Sequence, residues 1–166
     1  MAEAVSDTGP LIHLDEIGQL DLLADTFTHI YIPEQVIREI ANATVHAFIC
    51  KNSEIISTEQ VSEQSLFSAK EKFSGFRLHL ADLAVVTMLC KYERAIGVTD
   101  DMELRKTIES AGITVVGTVG VLFRAYKQGT LGEKDLRSLV DLLFNDSSLY
   151  LSCAFKKIVL DTIPPL

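Results

Sequence analysis

Ala95-Ile-Gly-Val-Thr-Asp-Asp-Met-Glu103 is the stretch that decides the fold. A short apolar run climbs to Thr99 and meets two adjacent carboxylates, Asp100 and Asp101. Leu104, Ile108 and Ala111 then recur at helical spacing, and Gly112 stops the pattern. A buried strand therefore ends in paired acids, and a helix leaves from them. In parallel α/β sheets ligands bind beyond the carboxyl ends of strands. Two carboxylates placed there repel unless a cation or a proton neutralises them. Asp100 and Glu103 also have the spacing of a capping box, so this stretch alone leaves both a helix cap and a metal ligand open.

Toward the C-terminus, residues 113–116 read as a fifth strand. Thr118 is a good N-cap for a helix through Leu122, Phe123 and Ala125. No Gly-Lys-Ser or Gly-Lys-Thr follows, which excludes a P-loop. Residues 133–144 and 152–160 read as two more amphipathic helices, and Pro164-Pro165 closes the chain. Toward the N-terminus, residues 78–90 make a helix that is apolar nearly all round and hence well buried. Asp82 is the only formal charge between Arg77 and Lys91. A lone carboxylate there is costly unless paired, protonated or bound to metal. It also suits a first-turn acid favouring the helix dipole, and His79 before it suits a surface or capping role.

The start of the chain repeats the motif of an acid at a strand end. Residues 4–6 suggest a strand, Asp7 follows, and Thr8-Gly9-Pro10 opens a helix carrying Leu11, Ile12, Leu14 and Ile17. Asp7 is thus either a capping aspartate or a second strand-end acid. A short helix follows Gly18, residues 29–32 read as the second strand, and Pro33 opens a helix with Val36, Ile37 and Ile40 on its apolar face. Glu39 borders that face. Residues 46–53 are ambiguous, 54–57 suit a short edge strand, and 62–73 suit a helix contacting the core through Leu66, Phe67 and Phe73. This order of elements implies a parallel sheet with helices on both faces. The carboxyl ends of the first and fourth strands can then lie side by side, with Asp7 near Asp100 and Asp101.

The 166 residues are 48% apolar and 23% charged, which fits one folded domain over 1–166 and argues against disorder. No apolar run is long enough to span a bilayer, and the opening residues do not read as a signal peptide, so a cytoplasmic protein is expected. Cys50, Cys90 and Cys153 fit neither a disulfide framework nor a zinc site and are expected to be buried thiols. The net charge of −8 disfavours a protein that holds nucleic acid by bulk charge alone.

Five pieces taken together resemble the PIN-domain family, in its small prokaryotic branch: Asp7-Thr-Gly-Pro-Leu-Ile12, Ile32-Pro-Glu-Gln-Val-Ile-Arg-Glu39, Ala81-Asp82-Leu-Ala84, Val98-Thr-Asp-Asp101 and Val116-Gly-Thr-Val-Gly-Val-Leu122. The resemblance implies a three-layer α/β/α sandwich with a five-stranded parallel sheet of order 3-2-1-4-5. It implies a metal-dependent endoribonuclease, many relatives being toxins of toxin–antitoxin pairs. By likeness, Asp7, Glu39, Asp82 and Asp100 are the four acids, Asp101 is accessory, and Thr8 and Thr99 are the flanking hydroxyls. Asp7, Asp82 and Asp100 would hold Mg2+ or Mn2+, and Glu39 would complete the shell or orient water. Arg38, Arg105 and Lys106 are the nearest basic residues to meet phosphates. An RNA substrate, an antitoxin partner and a homodimer follow from the same likeness. One departure stands out: the branch often has Gly-Glu where this chain has His79-Leu80. That favours an alternative, an inactive PIN-like module binding RNA or protein. A receiver-like phosphoacceptor domain shares the architecture, but no lysine follows Val116 until Lys127.

Overall fold

The structure is a computed structural model that describes residues 1–163, so Pro164-Pro165 lie outside it. Five parallel strands form one sheet in the order β3-β2-β1-β4-β5. They are β1 (Ala2–Ser6), β2 (Phe27–Pro33), β3 (Ile56–Glu59), β4 (Ala95–Val98) and β5 (Val115–Val116). Between and after them run α1 (Thr8–Glu16), α2 (Asp21–Thr26), α3 (Glu34–Ile37), α4 (Ala43–Lys51), α5 (Glu63–Lys72), α6 (Leu80–Lys91), α7 (Met102–Ser110), α8 (Thr118–Lys127), α9 (Glu133–Asp146) and α10 (Cys153–Thr162). Helix α6 packs across β1, β2 and β4 and meets α5 and α7, while α1 and α2 pack with α8, which carries α9. The α/β/α layering and strand order agree with the expectation.

Register explains why the strand-end acids meet. Strand β1 pairs with β4 from Glu3 opposite Ala95 to Ser6 opposite Val98. The pairing runs one residue further, since Asp7 N–H donates to the Val98 carbonyl at 2.9 Å. On the next strand Thr99 N–H donates to the Val116 carbonyl at 2.9 Å. Asp7 and Thr99 therefore leave the sheet side by side at one edge of the core.

Every residue of β4 is buried, and Gly97 lets α7 lie close over it. A Cβ at Gly97 would come 2.9 Å from Ile108 Cδ1 and 3.3 Å from Leu89 Cδ1 and Val115 Cγ2. Gly97→Val is accordingly expected to lower stability by about 1–3 kcal/mol through overpacking. Thermal unfolding followed by circular dichroism reads this, and an unchanged melting temperature contradicts it.

Several expectations are corrected. The ambiguous segment is a full helix, α4, because Asn42 accepts from Thr44 and Val45 N–H and caps it. The helix opened by Pro33 is only the four residues of α3. Phe67 is 62% exposed rather than a core contact: Leu66, Ala69 and Phe73 follow the buried stripe, and Phe67 falls beside it. Leu80, at the first turn of the otherwise buried α6, is 58% exposed. All three cysteines are free and exposed, since Cys50, Cys90 and Cys153 lie on outward faces or at helix ends. No described helix is long and apolar enough to cross a membrane.

Candidate functional site

The site is built on the ends of β1 and β4 and the starts of α1, α6 and α7. Asp7 is the N-cap of α1, its Oδ1 accepting from Thr8 N–H at 2.7 Å. Its Oδ2 accepts from the Thr99 hydroxyl at 2.8 Å. The Thr99 hydroxyl oxygen in turn accepts from Asp101 N–H at 3.1 Å. The Thr8 hydroxyl donates to Glu39 Oε2 at 3.1 Å, which ties the turn after α3 to the same corner. Glu39, Thr8, Asp7, Thr99 and Asp101 thus form one hydrogen-bonded chain.

Asp82 reaches this corner from α6. It is the third residue of that helix, and its Oδ2 accepts from His79 N–H at 2.6 Å. The capping role and the dipole-favoured first-turn position foreseen for His79 and Asp82 are both realised. The carboxylate also feels the site. Burial is the main force raising its pKa above the ordinary value, with Asp101 and Glu39 adding to the rise against the His79 N–H bond.

Asp7 is the most perturbed member. It is only 8% exposed. Burial pushes its carboxyl from the ordinary 3.8 up to about 6, and Asp82 and Asp101 push the same way. The bonds from Thr99 and Thr8 pull it down but do not cancel the cost of desolvation. Four carboxylates from four chain segments, Asp7, Glu39, Asp82 and Asp101, therefore sense one another.

Asp100 does something different from its neighbour. Its Oδ2 accepts from His13 Nδ1–H at 2.8 Å and from the Thr118 hydroxyl at 2.5 Å, and its Oδ1 accepts from Thr118 N–H at 2.8 Å. The sequence gives no direct sign of this clamp. The helix caps also shift by one residue from expectation. Asp101, not Asp100, caps α7 by accepting from Leu104 N–H at 2.8 Å. Gly117, not Thr118, is the N-cap of α8, which releases the Thr118 hydroxyl for Asp100.

A family model described as a PIN domain matches residues 3–163. The chain belongs to the PIN-domain family. A search of curated proteins finds no match to it. The family assignment sets the receiver-like alternative aside. PIN domains are a nuclease-like fold that typically uses divalent metal, and this PIN domain's donor set suits such an ion. Carboxylates with threonine hydroxyls are hard oxygen donors, the kind Mg2+ and Mn2+ prefer. Burial first, and the neighbouring acids after it, raise the pKa of Asp7 and Asp82, and a bound cation would favour the ionised form of both. Among the described residues, no group of three or more His, Cys, Asp or Glu side chains stands ready to hold a metal ion. The basic residues expected near phosphate are engaged on their own helices, Arg38 with Glu34, Arg105 with Glu109 and Lys106 with Glu103.

Proposed function

We propose that this PIN domain is a metal-dependent endoribonuclease acting by hydrolysis of RNA phosphodiester bonds, in the manner of the toxin of a toxin–antitoxin pair. The observation that supports it most is Asp7 itself, a carboxylate buried to 8% exposure at the carboxyl edge of the sheet, held by Thr99 and near enough to Asp82 and Asp101 to feel their charge. Asp7, Asp82 and Asp100 would hold Mg2+ or Mn2+, with Asp101 beside them. When bound, such an ion stabilises charge building on the phosphoryl oxygens and acidifies a bound water. The rest is done by the chain. Thr99 orients Asp7, His79 N–H orients Asp82, and His13 with Thr118 fixes Asp100. Glu39, held by Thr8, would complete the ligand shell or orient the water. The reading carries with it an antitoxin partner, a homodimer, a cytoplasmic location and one domain over residues 1–166.

The test is cleavage of a labelled RNA in Mn2+ or Mg2+. Cleavage is expected with either ion, and excess chelator or Asp82→Asn is expected to remove it. Cleavage indifferent to both refutes the proposal. A second reading, an RNA- or protein-binding PIN module without activity, is favoured by one observation: the exposed Leu80 stands where the branch often has a glutamate. RNA binding without cleavage at saturating Mn2+ decides for it.

A further inference from the structure

A second feature lies against the acidic corner. A cavity of about 790 Å3 opens between α7, β5, the start of α8 and the turn into α10. Its wall includes Asp100, Arg105, Val116, Val119, Tyr150 and Phe155. Asp100, clamped by His13 and Thr118, is also part of this cavity's wall, so the cavity borders the candidate site. The volume falls within the roughly 300–1,000 Å3 of small-ligand sites.

The chemistry of the walls selects the occupant. Tyr150 is 92% exposed, which leaves its ring open at the mouth of the cavity, and Phe155, 39% exposed, lines the wall with its ring tilted against Phe144 at 6.3 Å between centroids. The Arg105 guanidinium is held on the wall by the carbonyls of Thr99 at 3.3 Å and Val115 at 3.5 Å. Aromatic rings and a guanidinium plane are the surfaces on which unpaired bases stack, and arginine donates to acceptors on base edges. Under the ribonuclease reading, a net charge of −8 leaves little RNA affinity to phosphate neutralisation, and stacking contacts would supply what charge does not.

We propose that this cavity is a nucleobase subsite, which takes an unpaired base of single-stranded RNA neighbouring the phosphodiester at the acidic corner. The proposal rests on the ribonuclease reading for what the corner does, but the binding it predicts needs no metal and no cleavage. The experiment is a fluorescence titration of the whole chain in chelator, with short single-stranded RNAs carrying 2-aminopurine at successive positions. Quenching at one position is expected, because stacking quenches the probe. Tyr150→Ala and Phe155→Ala are each expected to weaken that binding by about tenfold, the range for losing one base–aromatic stack. The exposure of Tyr150 makes its variant a safe one for folding. An RNA abasic at that position should bind as weakly as the variants do.

Undiminished binding by both variants, or by the abasic RNA, overturns the subsite. So does sedimentation showing that Phe155→Ala dissolves a dimer, since a second copy would then fill the cavity. The two readings separate cleanly. Quenching without Mn2+-dependent cleavage removes the nuclease reading and keeps the subsite. Cleavage without quenching at any position does the reverse.

Discussion

Asp7→Asn is expected to make the metal-free protein more stable at pH 7, by about 3 kcal/mol, while removing its response to divalent metal. The rise from 3.8 to about 6 is some two units, and each unit is worth about 1.4 kcal/mol. The sign follows from linkage. The folded state holds the Asp7 proton more tightly than the unfolded chain does, so stability falls as pH climbs from about 4 to about 6 and stays low above that. Asparagine never ionises, and its carboxamide oxygen still accepts from Thr8 N–H. The variant should therefore exceed the wild type at pH 7 and match it below pH ~4. Added Mn2+ should raise the melting temperature of the wild type, by linkage of about 2.7 kcal/mol at a hundred times Kd, and leave the variant unmoved. Denaturant titrations at pH 4 and pH 7, each with and without Mn2+, read all four numbers. A variant weaker than wild type at pH 7 without metal would show that Asp7 is a structural cap and little else.

Gly117→Ala is expected to cost about a hundredfold in cleavage rate. The backbone there is ordinary, with φ −100, so the argument is one of space alone. A Cβ would lie 2.6 Å from Asp100 Oδ1, 3.2 Å from Arg105 Nη2 and 3.4 Å from the Thr99 carbonyl. Asp100 cannot yield without breaking the clamp from His13 and Thr118. Displacing a positioned group by the order of an ångström loses roughly two powers of ten. The measurement is kcat/KM on RNA at saturating Mn2+, with the melting temperature as a control for folding. A full rate in a folded variant would mean that Asp100 plays no part in the reaction.

The strand-end acids are legible in the sequence because their signals are local. Asp7 and Asp100 each follow an apolar run and precede a helical stripe, and Asp82 is a single charge in an apolar helix. The division of labour between Asp100 and Asp101 is not legible. Adjacent residues share every sequence signal, and only the turn from β4 into α7 sends the Asp100 carboxylate to His13 and Thr118 while the Asp101 carboxylate caps α7 within reach of the charge on Asp7. His13 reads as one polar residue of an amphipathic helix until α1 is laid beside the end of β4. The exposed cysteines and Phe67 depart from expectation for a related reason: hydrophobicity predicts burial on average, whereas the direction of a side chain on its helix decides the individual case.

What the sequence determined alone is the parallel sheet, its strand order through the family likeness, and the acids at its carboxyl edge. These depend on periodicity and on turn residues close together in the chain. The tertiary structure decided which carboxylates share a desolvated corner, how Asp100 is clamped, and that Tyr150 and Phe155 meet β5 around a cavity. Those are contacts between segments far apart in the chain, where distance and direction in space set the electrostatics and no local pattern encodes them.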